Sequence, residues 1–220
     1  MKTIKSALFA VAALLALTTA SSAASLNGVY LEVGTSAIGS ELDGKVIETA
    51  TTPNETSTGQ VGKTAVTTSY GLGYMTDRSN KMGLDVGYMF NPGSASIKSK
   101  TTQDTGSVTF EISDSFDYYI APMINMTEDS SLFLKIGYAE SDVNITGDVT
   151  KISKMEGTTV ALGTIMSWGS NLYIRTEAGM TEYDSLKVTG LGTANGVATT
   201  TTVTADPTIH YGKIAIGYKF

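Results

Sequence analysis

Residues 210–220 read H-Y-G-K-I-A-I-G-Y-K-F. Counting back by twos from Phe220 gives Tyr218, Ile216 and Ile214, then Gly212 and His210. The interleaved set is Lys219, Gly217, Ala215, Lys213 and Tyr211. One face is apolar, and the other is small or charged. Apolar residues at every second position specify a β-strand, because a helical face would recur at three and four. In a soluble protein the greasy face would point at a core. Here the aromatic last residue lies on that face, which raises lipid as the alternative partner. On the motif alone, an amphipathic edge strand is the competing reading.

Seven more stretches alternate in the same way: 29–37, 64–75, 81–90, 108–124, 131–139, 158–168 and 171–181. In 81–90, Met82, Leu84, Val86, Tyr88 and Phe90 oppose Gly83, Asp85, Gly87 and Met89. In 108–124, Phe110, Ile112, Phe116, Tyr118, Ile120 and Ile124 oppose Glu111, Ser113, Ser115, Asp117 and Tyr119. The connections alternate in length. Those at 76–80, 125–130 and 169–170 are short and made of turn formers. Those at 39–63, 91–107, 140–157 and 182–208 are long and rich in Thr, Ser, Gly and Asp, and read as loops. A soluble sandwich has no need of such alternation. A membrane barrel has short turns on one side and long loops on the other, and an even strand count returns both chain ends to the short-turn side.

The apolar face has a common height. A strand tilted ~45° climbs about 2.3 Å of bilayer normal per residue, so a ~25 Å apolar band lasts about ten residues. Measured from each short turn, charge first reaches this face at Asp114, Glu140, Glu156 and Glu182, about that many residues along. Aromatic residues mark both edges. Tyr74, Trp168, Tyr218 and Phe220 lie near the short-turn edge; Tyr88, Phe90, Phe110 and Tyr138 lie near the other. Amphipathic rings are favoured at both membrane interfaces.

Bulk properties agree. The chain has 220 residues, 16% charged, with 23 Gly and no Cys. The length suits one β domain. The lack of Cys excludes a disulfide framework and a thiolate metal site. No run of 18 apolar residues exists, so no transmembrane helix is expected. Residues 1–24 read as a secretory signal peptide: Lys2 and Lys5, a short apolar run at 7–17, then small residues. Residues 25–220 then form the mature domain. Losing Lys2 and Lys5 moves the net charge from −6 to −8, which argues against nucleic-acid binding.

The inward set contains Glu32, Asp85, Glu111, Asp117, Lys135, Arg175, Glu177, Lys213 and Lys219. An Arg or Lys facing lipid at mid-depth would cost about 2–4 kcal/mol. Facing inward, these groups can pair. An eight-stranded interior is filled by side chains rather than open as a broad pore. A plugged lumen is therefore expected, with Arg175 and Lys135 set against Glu32, Asp117 and Glu177. A gated narrow channel is the alternative.

A terminal Phe, an aromatic two residues before it and apolar residues alternating further back resemble the closing strand of bacterial outer-membrane β-barrels. With the signal peptide and the short–long alternation, the mature chain resembles the small eight-stranded group: the OmpA transmembrane domain, OmpX and the opacity-type porin-family proteins. The resemblance implies an all-β, eight-stranded antiparallel up-and-down transmembrane barrel in a bacterial outer membrane, with both termini periplasmic. It implies as partners the membrane's lipids and lipopolysaccharide, and the barrel-assembly machinery, which reads Tyr218 and Phe220. It leaves three functions open: a structural protein meeting a surface ligand through its long loops, a narrow ion or solute channel, and a lipid A-modifying enzyme.

Chemistry-bearing motifs are sparse. His210, the single His, lies at the depth where lipid A deacylase barrels hold a Ser-His-acid set, but Tyr211 and Gly212 follow it, so that family's His-x-Ser arrangement is missing. Gly190, Gly192 and Gly196 are wrongly spaced for a nucleotide fingerprint. The loop acids lack calcium-loop spacing. No catalytic residue, cofactor or metal site is expected.

Overall fold

Strand-favouring Val, Ile, Thr and Tyr alternate with Gly and Ser through most of the chain, and no helix forms among the described residues. The computed structural model describes residues 28–49, 55–76, 81–100, 107–146, 152–194 and 197–220. The signal segment expected at 1–24 lies outside the described residues. Among the described residues nine strands follow in order: β1 (Gly28–Thr49), β2 (Glu55–Met75), β3 (Met82–Lys100), β4 (Ser107–Asn125), β5 (Ser130–Thr146), β6 (Lys154–Trp168), β7 (Leu172–Tyr183), β8 (Leu186–Ala194) and β9 (Val197–Lys219). Consecutive strands pair antiparallel from β1 to β7, and β9 pairs with β7. The β1–β9 ladder, Tyr30↔Lys219 to Thr49↔Thr200, closes the barrel. Its wall has eight strands, β1–β7 and β9; β8 is a hairpin arm on the first half of β9.

Both described chain ends lie at the short-turn end. Gly28 pairs with Met75, and the Phe220 N–H donates to the Val29 carbonyl at 3.0 Å. Outward apolar residues are half bare: Leu31 is 49% exposed, Ile136 48% and Ile216 49%. So wide an exposed apolar surface needs an apolar partner.

At the other end the strands run well past the roughly ten residues a bilayer requires. β1 has 22 residues, β2 21 and β9 23. Much of what reads as loop in 39–63, 91–107, 140–157 and 182–208 is paired strand. These Thr- and Val-bearing segments have strand propensity, and hairpin pairing satisfies their backbone groups. Gly190 and Gly192 sit within β8; Gly196 lies outside the described residues.

Here the barrel divides into two sheets. The β2–β3 ladder holds only from Tyr70↔Phe90 to Met75↔Asp85, whereas β3–β4 continues to Lys100↔Ser107. Pro92 has no N–H to give β2. Gly93, at φ +153°, turns the backbone, and the Thr67 hydroxyl donates to the Pro92 carbonyl at 2.7 Å instead. On the far side, β6–β7 pairing ends at Gly157↔Tyr183, and β8 pairs with β9 alone. One sheet is therefore β2-β1-β9-β8 and the other β3-β4-β5-β6.

A bulge corrects one expectation. Asp114 adopts φ +45°, and the ladder shifts between Ser113 and Ser115 against β5 and between Asn91 and Ser94 against β4. One extra residue reverses which side faces in. Phe110 and Ile112 consequently turn inward and are buried, at 9% and 6% exposure. Phe110 is not part of the outer aromatic girdle, and Glu111 leaves the inward set. Phe116 takes the girdle place, stacked on Phe90 with centroids 5.0 Å apart.

Candidate functional site in the barrel lumen

Alternation alone puts one residue in two inside, and register decides which of them meet. Arg175 and Glu177 are two apart on β7 and share the inner face. Lys213 on β9 lies directly across from Glu177. Glu32, Asp85, Asp117 and Lys135 enter from β1, β3, β4 and β5. All seven are buried.

They form one chain of alternating charge. Asp85 pairs with Arg175, whose Nε lies 3.3 Å from Glu32 Oε2. Glu32 Oε1 accepts from Lys213 Nζ at 2.9 Å. Lys213 lies 3.4 Å from Glu177 Oε2, and Lys135 donates to Glu177 Oε1 at 3.1 Å. Lys135 also pairs with Asp117, where the chain ends. Four carboxylates thus alternate with three cations.

Tyrosines complete the network. Arg175 Nη1 donates to Tyr119 Oη at 2.7 Å, Tyr30 donates to Asp85 Oδ1 at 2.8 Å, and the two hydroxyls share a 2.7 Å hydrogen bond. Tyr173 donates to Glu32 Oε2 at 3.1 Å, and Tyr211 donates to Glu177. The guanidinium lies over the Tyr30, Tyr119 and Phe133 rings. Tyr30, Tyr119 and Tyr173 are legible in the sequence as inward residues; their hydroxyl bonds are not, because those depend on register across several strands.

Close packing needs inward glycine. A Cβ on Gly87 would stand 2.6 Å from the Tyr119 ring, and one on Gly217 would collide with the Tyr173 ring. These glycines precede the outward Tyr88 and Tyr218, so each Gly-Tyr step sends a ring out and admits another within.

Apolar residues flank the charges. Met75, Met123, Phe133 and Ile165, all at most 1% exposed, belong to the core cluster that also holds Tyr30 and Tyr173. At the two-sheet end a second core gathers Phe110, Ile112, Val143, Ile145, Met155 and Leu186, with others. Between this core and the charges lies a cavity of about 50 Å³, lined by Asp117, Lys135, Glu177 and Lys213 as well as Ala139 and Ile209.

The closed antiparallel wall has a counterpart among solved structures. The crystal structure of the outer membrane protein OprG from Pseudomonas aeruginosa matches over 90% of this chain and 98% of its own, with 16% identity and a TM-score of 0.57. The chain has the fold of an outer-membrane β-barrel. The outer membrane protein AlkL, determined by solid-state NMR in lipid bilayers, matches over 92% of this chain and 95% of its own, at 14% identity and a TM-score of 0.49. No family model matches the sequence, and no curated protein sequence does.

On this outer-membrane barrel fold the remaining aromatics take clear places. Tyr74, Trp168, Tyr218 and Phe220 stand exposed at the short-turn end, with Tyr218 and Phe220 edge-to-face at 5.2 Å. Tyr88, Phe90 and Tyr138 lie on the outer face, where Tyr88 packs on Tyr118 at 5.1 Å and Tyr118 pairs across to Tyr138. His210 is exposed on the outer wall, with Met180 and Gly39 at its cross-strand positions. Neither is a nucleophile or an acid. Among the described residues no group of three or more His, Cys, Asp or Glu is placed to hold a metal.

Proposed function

We propose that this chain is an integral protein of a bacterial outer membrane, not an enzyme, with a lumen closed by its own side chains. Its two-sheet end is the working surface toward a partner outside the cell. The observation that carries the reading is the alternating charge chain from Asp85 to Asp117, held between two apolar clusters. Ions would have to cross a Met75–Met123–Phe133 layer and break pairs in a low-dielectric interior, where each broken pair is costly.

Short turns with the chain ends at one end, and extended hairpins at the other, support periplasmic termini. The exposed apolar wall fits membrane lipid and lipopolysaccharide acyl chains, and Tyr218 and Phe220 fit the terminal signal read by the barrel-assembly machinery. A narrow channel is the competing reading. Planar-bilayer conductance of the refolded mature protein, beside Arg175→Ala, separates them. A silent wild type is expected. Discrete steps in the wild type, altered by the substitution, would make this a gated pore.

A further inference from the structure

We propose that the lumen binds one small monovalent cation, such as sodium, beside Asp117 and Glu177. The charge chain has an acid at each end, and the two ends differ. Asp85 is satisfied on both oxygens, by Arg175 and by the Tyr30 hydroxyl. Asp117 takes Lys135 on Oδ2, while its Oδ1 accepts no hydrogen bond although the residue is only 7% exposed. Glu177 Oε2 also accepts no hydrogen bond; Lys213 Nζ stands 3.4 Å from it as an ion-pair contact. Both acids line the lumen cavity of about 50 Å³. That is several times the ~10–15 Å³ that one water needs. Ser36, Asn91, Ser115 and Thr159 line it too and bring neutral oxygens.

The charge count sets the ligand's class. Four carboxylates against three cations leave one net negative charge on this buried chain of seven. An uncompensated buried charge is strongly unfavourable. A single positive charge removes the excess. A divalent ion would overshoot it beside Lys135 and Lys213, which share the cavity wall. Carboxylate, hydroxyl and amide oxygens suit a hard cation rather than a soft one.

The inference rests on the plugged-lumen reading, since a conducting lumen would hold a cation only in passage. The test is thermal unfolding of the refolded mature protein in zwitterionic detergent, in sodium chloride and in N-methylglucamine chloride at equal ionic strength. The bulky organic cation does not fit the cavity. Sodium at about ten times its dissociation constant is expected to raise the unfolding temperature by about 3–6 °C. Asp117→Asn, which leaves three acids against three bases, is expected to fold and to lose this dependence. Should that variant not refold, sodium-23 line broadening by the wild type, competed by potassium but not by N-methylglucamine, reads the same site. Equal unfolding temperatures in the two salts overturn the proposal, as does an undiminished sodium shift in Asp117→Asn. A dependence on pH without one on sodium assigns the place to a proton and overturns it as well. A silent bilayer with no sodium effect sinks the cation and leaves the plug standing.

Discussion

The molecule has two interiors that solve opposite problems. Within the barrel the outer face is apolar, so the polar residues of an alternating strand have nowhere to go but inward, and the core is Arg175, Lys135, Lys213 and their carboxylates. In the two-sheet end the same strands bury Phe110, Ile112, Val143, Ile145 and Met155 and turn Glu140, Glu156 and Glu182 outward. There the alternation is that of a soluble sandwich. On β5, β6 and β9 the same alternate positions stay inward at both ends and only the residue types change, whereas β4 switches parity at the Asp114 bulge.

This contrast makes the largest effect easy to place. Arg175→Ala leaves Glu32 and Asp85 buried without their shared cation, and is expected to cost about 3–5 kcal/mol. Urea unfolding of the protein in lipid vesicles measures it. A loss under about 1 kcal/mol would mean that the lumen rearranges or floods, and the two interiors would not differ in the way described.

In the second interior, Ile112→Ala removes an ordinary buried aliphatic side chain. About 2–4 kcal/mol of local stability should be lost. The loss should appear as faster proteolysis of the two-sheet end, with the compact electrophoretic form of the barrel retained. If barrel and end melt together in this variant, the molecule is one cooperative unit.

Much of the first interior was legible in the sequence. Period two gave the faces, a common apolar height gave the membrane, and each of the seven charges in the chain reads as inward. Pairings were not legible, because Lys213 meets both Glu32 and Glu177 through register and tilt, which no single strand encodes. The second interior was largely hidden. Beyond the membrane height, Thr-rich segments read as loops, although their composition equally suits strand. The Asp114 reversal leaves only an indirect mark, the Asn91-Pro92-Gly93 step on the neighbouring strand, so simple alternation puts Phe110 on the outer face although it is buried.

Glycine offers a finer comparison within the wall. Gly217→Ala forces a methyl into the Tyr173 ring and should cost about 1–3 kcal/mol by overpacking. Gly212 lies on the outer wall, and a Cβ there meets nothing within 4 Å. Gly212→Ala is expected to stay within about 0.5 kcal/mol of wild type. Equal losses in parallel urea titrations would show that strand conformation, not lumen space, selects glycine here.

The smallest effect tests the contrast with identical chemistry. Lys154 pairs with Glu140 on the outer face of the two-sheet end, with the Lys154 side chain 58% exposed. Lys135 pairs with Asp117 and Glu177 in the lumen at 2% exposure. Both are lysine–carboxylate pairs, yet only the first is exposed to bulk solvent and its screening. Lys154→Ala should cost less than about 1 kcal/mol. The loss has a second part, because Glu140 and Glu156 stand directly opposite each other and Lys154 offsets their repulsion. Screening should therefore shrink the loss as salt rises toward about 1 M, where the Debye length falls to ~3 Å. Substituting Lys135 should cost several times more and, titrated with N-methylglucamine chloride so that no ion enters the lumen cavity, respond little to ionic strength, since its partners are enclosed. Sensitivity of the same size at both sites to N-methylglucamine chloride would show that the lumen is open to bulk electrolyte, which would favour the channel.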